Sequence, residues 1–175
     1  MGGVDKGLIE LAGRPMIEHA LERLAPRVGA VVISANRHLD VYRRYGWPVV
    51  TDGDIGKGLG PLAGIASGME AATTTYVLTV PCDAPRLPED LLMRTWAALH
   101  EHGAQIAVPH DGIRAQRAFL LLRCELLPDI RDYLHSGGRS VERWLARHVV
   151  AETDFSDQPE AFVNVNTPED LNRQT

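Results

Sequence analysis

Apolar positions along the chain follow two alternating spacings. Short runs rich in β-branched residues, AVVIS at 30–34, PVVT at 48–51 and YVLTV at 76–80, read as strands buried on both faces. Between them the spacing becomes helical. Residues 15–24 put Ile17, Ala20, Leu21 and Leu24 on one face, with Pro15 in the first turn. A short helix is expected at 38–45, ending at Gly46, and another at about 62–72 after a glycine-rich loop at 56–61. Residues 88–102 read as a helix with Pro88 at its start and Glu89 and Asp90 in the first turn, where acids suit the dipole. Beyond it, strands at 105–109 and 118–123 join through a turn at Asp111-Gly112. Helices at 125–134 and 139–147 are separated by Ser136-Gly137-Gly138, and a strand follows at 149–152. An extended segment at 162–165 and a helical turn at 168–173 complete the pattern. Strands alternating with helices imply βαβ crossovers, so an α/β fold with a mainly parallel sheet covered on both faces is expected.

Composition narrows the class. The 175 residues carry 18 Lys and Arg against 23 Asp and Glu, a net charge of -5, and 45% of them are hydrophobic. Such a chain buries a core without disulfides, and 1–175 is expected to form a single domain. The acidic balance argues against nucleic acid or an anionic membrane as partner, because both need surplus Lys and Arg. No apolar run is long enough to span a bilayer. The chain opens with no basic-apolar-small leader, and Cys82 and Cys124 stand in neither CxxC nor zinc spacing. A cytoplasmic location is therefore expected.

In open α/β sheets ligands sit beyond the carboxyl ends of the strands, so the segments just after strands carry the candidate chemistry. Pro81-Cys82-Asp83-Ala84-Pro85 follows the 76–80 strand, and its two prolines fix the backbone around Asp83. Magnesium takes one or two carboxylates and fills its shell with phosphate oxygens and water, which suits a lone Asp83; the alternative is a cap for the next helix. In Gly2-Gly3-Val4-Asp5-Lys6-Gly7-Leu8 the glycines let N–H groups approach an anion and Lys6 brings a cation; the alternative is a frayed terminus. Gly58-Leu59-Gly60-Pro61 leads into a helix N-terminus, where Gly60 opens either an anion or base site or merely a tight helix start. Asn36 after the first strand and Asp52 after the second either bind a ligand or end their strands. Near the end, Thr167-Pro168 with Asp170 makes a helix start. Asn164 and Asn166 share one face if extended, placed for a pterin, a sugar or a metal-bound water, or else for a turn.

Taken in order, MGGVDKGLIELAGRPMIEHAL, VVISANR, VVTDG, GPLAGIASGM, PCDAP and DFSDQPEAFVNVNTPEDL resemble the molybdenum cofactor guanylyltransferases, also called molybdopterin-guanine dinucleotide synthases. The match runs over nearly the whole chain. The resemblance implies a three-layer, nucleotide-binding, Rossmann-like domain that transfers GMP from GTP to the molybdopterin phosphate with Mg2+, releasing pyrophosphate. It implies that Lys6 contacts the GTP phosphates, that Asn36, Asp52 and Gly60 lie at the nucleotide, that Asp83 binds magnesium, and that Asn164 and Asn166 serve the pterin side and catalysis. GTP and molybdopterin are the implied partners, with a receiving molybdoenzyme or a chaperone protein left open. In-line displacement needs charge neutralisation and no protein nucleophile, and Arg14, Arg117 and Arg139 are further candidate cations.

The sequence departs from the family in two places. The family pattern opens with a strand and LAGG-x-x-x-R-MGG-x-DK, of which only the second half stands here, so the first strand is expected to be absent from these residues. Ala115-Gln116-Arg117-Ala118-Phe119 replaces a stretch that usually holds His-Pro. Two alternatives stay open: a related nucleotidyltransferase using CTP or a sugar phosphate, and a non-catalytic homologue that binds a pterin or a partner.

Overall fold

The structure, a computed structural model, describes residues 5–53 and 58–163. A 3-10 turn at Lys6–Leu8 leads into a hairpin of two-residue strands, β1 (Glu10–Leu11) and β2 (Arg14–Pro15). Ala12 and Gly13 between them both have positive φ, 51° and 77°, which matches the twist of a tight hairpin. This hairpin carries no period-two signal and was not expected. Helix α1 (Met16–Leu24) follows at once and buries Met16, Ile17 and Ala20. Pro15, expected inside the helix, ends β2 instead.

The next two strands are shorter than their apolar runs. β3 (Ile33–Ser34) and β4 (Val49–Val50) pair in parallel around α2 (Leu39–Arg43), and the ladder closes with Ile33 N–H on Pro48 O and Ala35 N–H on Val50 O. Pro48 has no N–H to extend the pairing. Helix α3 (Pro61–Ala71) then leads to β5 (Tyr76–Thr79), and α4 (Leu91–Glu101) to β6 (Ile106–His110). After β7 (Leu120–Arg123) come α5 (Leu127–His135), α6 (Val141–Leu145) and β8 (Val150–Asp154).

Four strands form one sheet in the order β5-β7-β6-β8. β7 is antiparallel to both β5 and β6, while β6 and β8 are parallel, so β5, β6 and β8 share a direction and β7 alone is reversed. The reversal follows from the short turn after β6, which leaves no room for a crossover. The sheet is thus a mixed one, with β6 and β8 as its parallel neighbours and β7 reversed between β5 and β6. Its alternating side chains build two cores. Ile106, Val108, Leu120 and Leu122 face α3, α5 and α6, packing with Leu62, Ala66, Ile130, Leu134 and Trp144. Ala107, Leu121 and Ala151 face α4 at Ala98 and Leu99. Helices therefore cover both faces.

Helix α4 begins three residues later than the sequence suggests. Residues 88–90 form a turn, with Leu91 N–H on Pro88 O. Glu89 pairs with Arg27 at 2.7 Å, and Asp90 bonds Arg94 across the first turn at 3.4 Å. Phe162, expected to be extended, closes a 3-10 turn at Pro159–Phe162 and stacks edge-on against Phe119 and Phe155. The expected helical turn at 168–173 lies outside the described residues.

Candidate active site

The turn after β5 is anchored from below. Ala84 and Leu87 are buried with Phe119 and Phe155, which fixes the Pro81-to-Pro85 segment against the sheet. Asp83 is buried there, and its Oδ2 accepts a hydrogen bond from Lys6 Nζ at 3.0 Å, the ammonium being partly open to solvent. With α4 starting only at Leu91, Asp83 is too far from that helix to cap it. The glycine-lysine motif and the Pro-Cys-Asp motif, 77 residues apart, thus meet as one charged pair.

A second pair lies beyond β3 and β4. Asn36 Nδ2 donates to Asp52 Oδ2 at 2.6 Å, and Asp52 N–H donates to Asn36 Oδ1 at 3.0 Å. Asp52 is buried, and its other oxygen, Oδ1, has no hydrogen-bond partner among the described residues. Such an orphaned acceptor is uncommon and marks a place where a donor is wanted. Helix α3 packs closely here: a Cβ on Gly64 would lie 2.9 Å from Ser34 Oγ and 3.7 Å from Asp52 Oδ1. Gly60 is the N-cap of α3 with φ +84°, a left-handed conformation that favours glycine.

Three residues that the motifs did not single out join these pairs. Asp5 Oδ1 accepts from Tyr42 Oη at 2.5 Å, and its Oδ2 lies 3.0 Å from His38 Nδ1. His38 follows Asn36 by two residues and caps α2 with φ +49°. Burial, then the Asp5 carboxylate, pushes the Tyr42 hydroxyl well above its ordinary range, so it remains a donor. The left-handed His38 and the Asp5–Tyr42 contact leave no trace in spacing or periodicity. The only sequence signal is the charged Asp5-Lys6 pair itself.

The further candidate cations are bonded to other partners. Arg14 is bound by Glu18 and Glu22, Arg117 by Glu142, and Arg139 by the carbonyls of Leu134 and Gly138. Asn164 and Asn166 lie outside the described residues. At the departure from the family pattern, Gln116 Nε2 donates to Asp111 Oδ2 at 2.6 Å and Gln116 N–H to Pro109 O, which fastens the β6–β7 turn. Cys82 beside Asp83 is no nucleophile: burial, with Asp83 and Asp5 nearby, pushes its thiol up to about 11.

Comparison with known proteins gives this geometry a context. Residues 1–153 match the family described as MobA-like NTP transferase domain. The chain belongs to this family. It is 48% identical to the molybdenum cofactor guanylyltransferase of Shewanella sediminis (strain HAW-EB3), over 97% of this chain and 86% of that protein. Among solved structures, it superposes with a TM-score of 0.81 on the molybdopterin-guanine dinucleotide biosynthesis protein A of Archaeoglobus fulgidus, at 20% identity, covering 98% of this chain and 89% of the other. It also superposes with a TM-score of 0.74 on the 2-C-methyl-D-erythritol 4-phosphate cytidylyltransferase of Thermus thermophilus, at 16% identity over 97% and 91% of the two chains. At these identities the structural likeness establishes the α/β nucleotidyltransferase fold. The MobA-like family is one of nucleotidyltransferases, and among the described residues no helix is long and apolar enough to cross a membrane.

Proposed function

We propose that this MobA-like protein transfers GMP from GTP to the phosphate of molybdopterin. The observation that supports it best is the Lys6–Asp83 pair at the carboxyl end of β5, in a chain 48% identical to a protein named molybdenum cofactor guanylyltransferase. A phosphate oxygen of molybdopterin attacks the α-phosphorus of GTP. The bond to the bridging oxygen breaks, and pyrophosphate leaves with the electron pair. Charge accumulates on the phosphate oxygens, so the work of the chain is to place the triphosphate and neutralise it. Lys6 brings a cation to the phosphates. Asn36 and Asp52 hold the nucleoside, with Asp52 Oδ1 awaiting a base or ribose donor. Gly60 keeps the start of α3 free of side chain, and Asn164 and Asn166 serve the pterin side.

Asp83 is the residue that would hold Mg2+. The donor set fits: Asp83 brings one buried carboxylate beside the Lys6 ammonium, and a single carboxylate leaves the other positions to phosphate and water. The metal, when bound, would supply charge neutralisation at the triphosphate.

Two measurements test the reading. Purified protein given Mg2+, GTP and molybdopterin should release pyrophosphate, and Asp83→Ala should lower that rate by about 100-fold or more. Unchanged turnover would remove the metal assignment. The cytidylyltransferase of the same fold makes base choice the second question. Thermal shifts with GTP, CTP and ATP in the presence of Mg2+ should be largest for GTP, since stabilisation grows with ligand concentration over Kd. Equal shifts would withdraw the guanylyl assignment.

A further inference from the structure

We propose that Asp5 is a positioning residue which, through Tyr42 and His38, aims Lys6 at the nucleotide phosphates; this rests on the reading of Lys6 as a phosphate contact. A lysine ammonium rides on a flexible four-carbon stem, so its reach is set by where its Cα is held. Here three consecutive residues are each held in place. Asp5 is tied to α2 through both carboxylate oxygens, one to Tyr42 and one to His38. Lys6 is bonded to Asp83. Gly7 is pressed so closely beneath Tyr42 and Cys82 that an added Cβ would come within 2.6 Å of the Tyr42 hydroxyl and 3.2 Å of the Cys82 sulfur.

The Tyr42 hydroxyl is the shared point, touching the residues on both sides of Lys6. Its ring is buried with Ile17 and Ile33, and so is fixed by the core. Asp5 has both oxygens engaged and its side chain is largely covered, so its charge serves the protein and not a ligand. The clamp also joins the two halves of the site. His38 and Tyr42 belong to the segment that begins at Asn36, whose partner is Asp52, while Lys6 reaches Asp83. Fixing a reacting or binding group before the ligand arrives strengthens binding by removing the disorder that would otherwise be lost.

A double-mutant cycle tests this. The full chain is titrated calorimetrically with Mg·GTP as wild type, Lys6→Ala, Asp5→Asn and the double variant. Lys6→Ala should weaken binding, and Asp5→Asn should weaken it about tenfold while Lys6 is present. With Lys6→Ala already made, Asp5→Asn should weaken it less than about twofold further, because the residue it aims is gone. Tyr42→Phe, which keeps the buried ring and removes only the hydroxyl, should show the same dependence on Lys6, and it carries the test if Asp5→Asn does not fold. An equal loss in both backgrounds would show a merely structural role and overturn the proposal, as would unchanged affinity in both Asp5→Asn and Tyr42→Phe. Unchanged affinity in Lys6→Ala would instead remove the Lys6 reading, and the proposal with it.

Discussion

Gly7 shows how much a single missing side chain decides. A Cβ there would lie 2.6 Å from the Tyr42 hydroxyl, closer than side chains approach, and 3.2 Å from the Cys82 sulfur, and both neighbours pack against the core. Gly7→Ala should therefore destabilise the fold by about 1–3 kcal/mol, read as a lower midpoint in urea denaturation, and should weaken GTP binding by displacing the Asp5-Lys6 turn. The sequence showed the glycines and the Asp-Lys pair, and it showed the Pro-Cys-Asp turn. It did not show that the two would meet, because a contact across 77 residues has no local signature. Tyr42 was invisible for the same reason: in its own segment it is one aromatic residue on a five-residue helix. Asn36 and Asp52 were legible as strand-end polar residues, but their reciprocal bonding needed the parallel pairing of β3 with β4.

At the level of elements, legibility followed length and pairing. The apolar runs of β6 and β7 and the helical spacing of α3 and α5 appear near where the pattern put them. The β1–β2 hairpin did not, since two residues are too few to show alternation. The start of α4 misled in an instructive way. Pro88-Glu89-Asp90 satisfies the usual helix-start signals, yet Glu89 and Asp90 are taken by Arg27 and Arg94 while the backbone makes a preceding turn. Helix α6 has a true cap: Ser140 Oγ accepts from Arg143 N–H at 3.2 Å. Because α6 is only five residues long and carries the fully buried Trp144, that cap matters more than in a long helix. Ser140→Ala should cost about 1 kcal/mol, measurable as a shift of the denaturation midpoint without change in slope.

For the whole molecule, the covered thiol and phenol beside the site set an alkaline limit. Cys82 keeps its proton to about 11 in the fold against an ordinary value near 9. Between those two pH values the native chain binds more protons than the unfolded chain, so stability falls as pH rises through that window. The loss should reach roughly 2–3 kcal/mol for this thiol. Tyr42, raised in the same direction, extends the decline to higher pH. Urea denaturation at about pH 8 and about pH 10.5 should reveal the loss, and Cys82→Ala should flatten it. A pH-independent Cys82→Ala difference would show that the thiol titrates alike in the folded and unfolded chains, and would overturn the raised value.

The division of the sheet has a further consequence for how the protein moves. Among the described residues the β3–β4 ladder is only two residue pairs long and is not hydrogen-bonded to the four-stranded sheet, where β6 and β8 pair over five. Amide deuteration should therefore be uneven. The N–H groups of Ile33 and Ala35 should exchange through local opening well before those of β6, whose exchange requires global unfolding. A nucleotide held by Asn36 and Asp52 at one end and by Lys6 at the other would bridge the two pieces. Its binding should then slow deuterium uptake at Ile33 and Ala35, so the ligand itself becomes the cross-piece that the backbone does not provide.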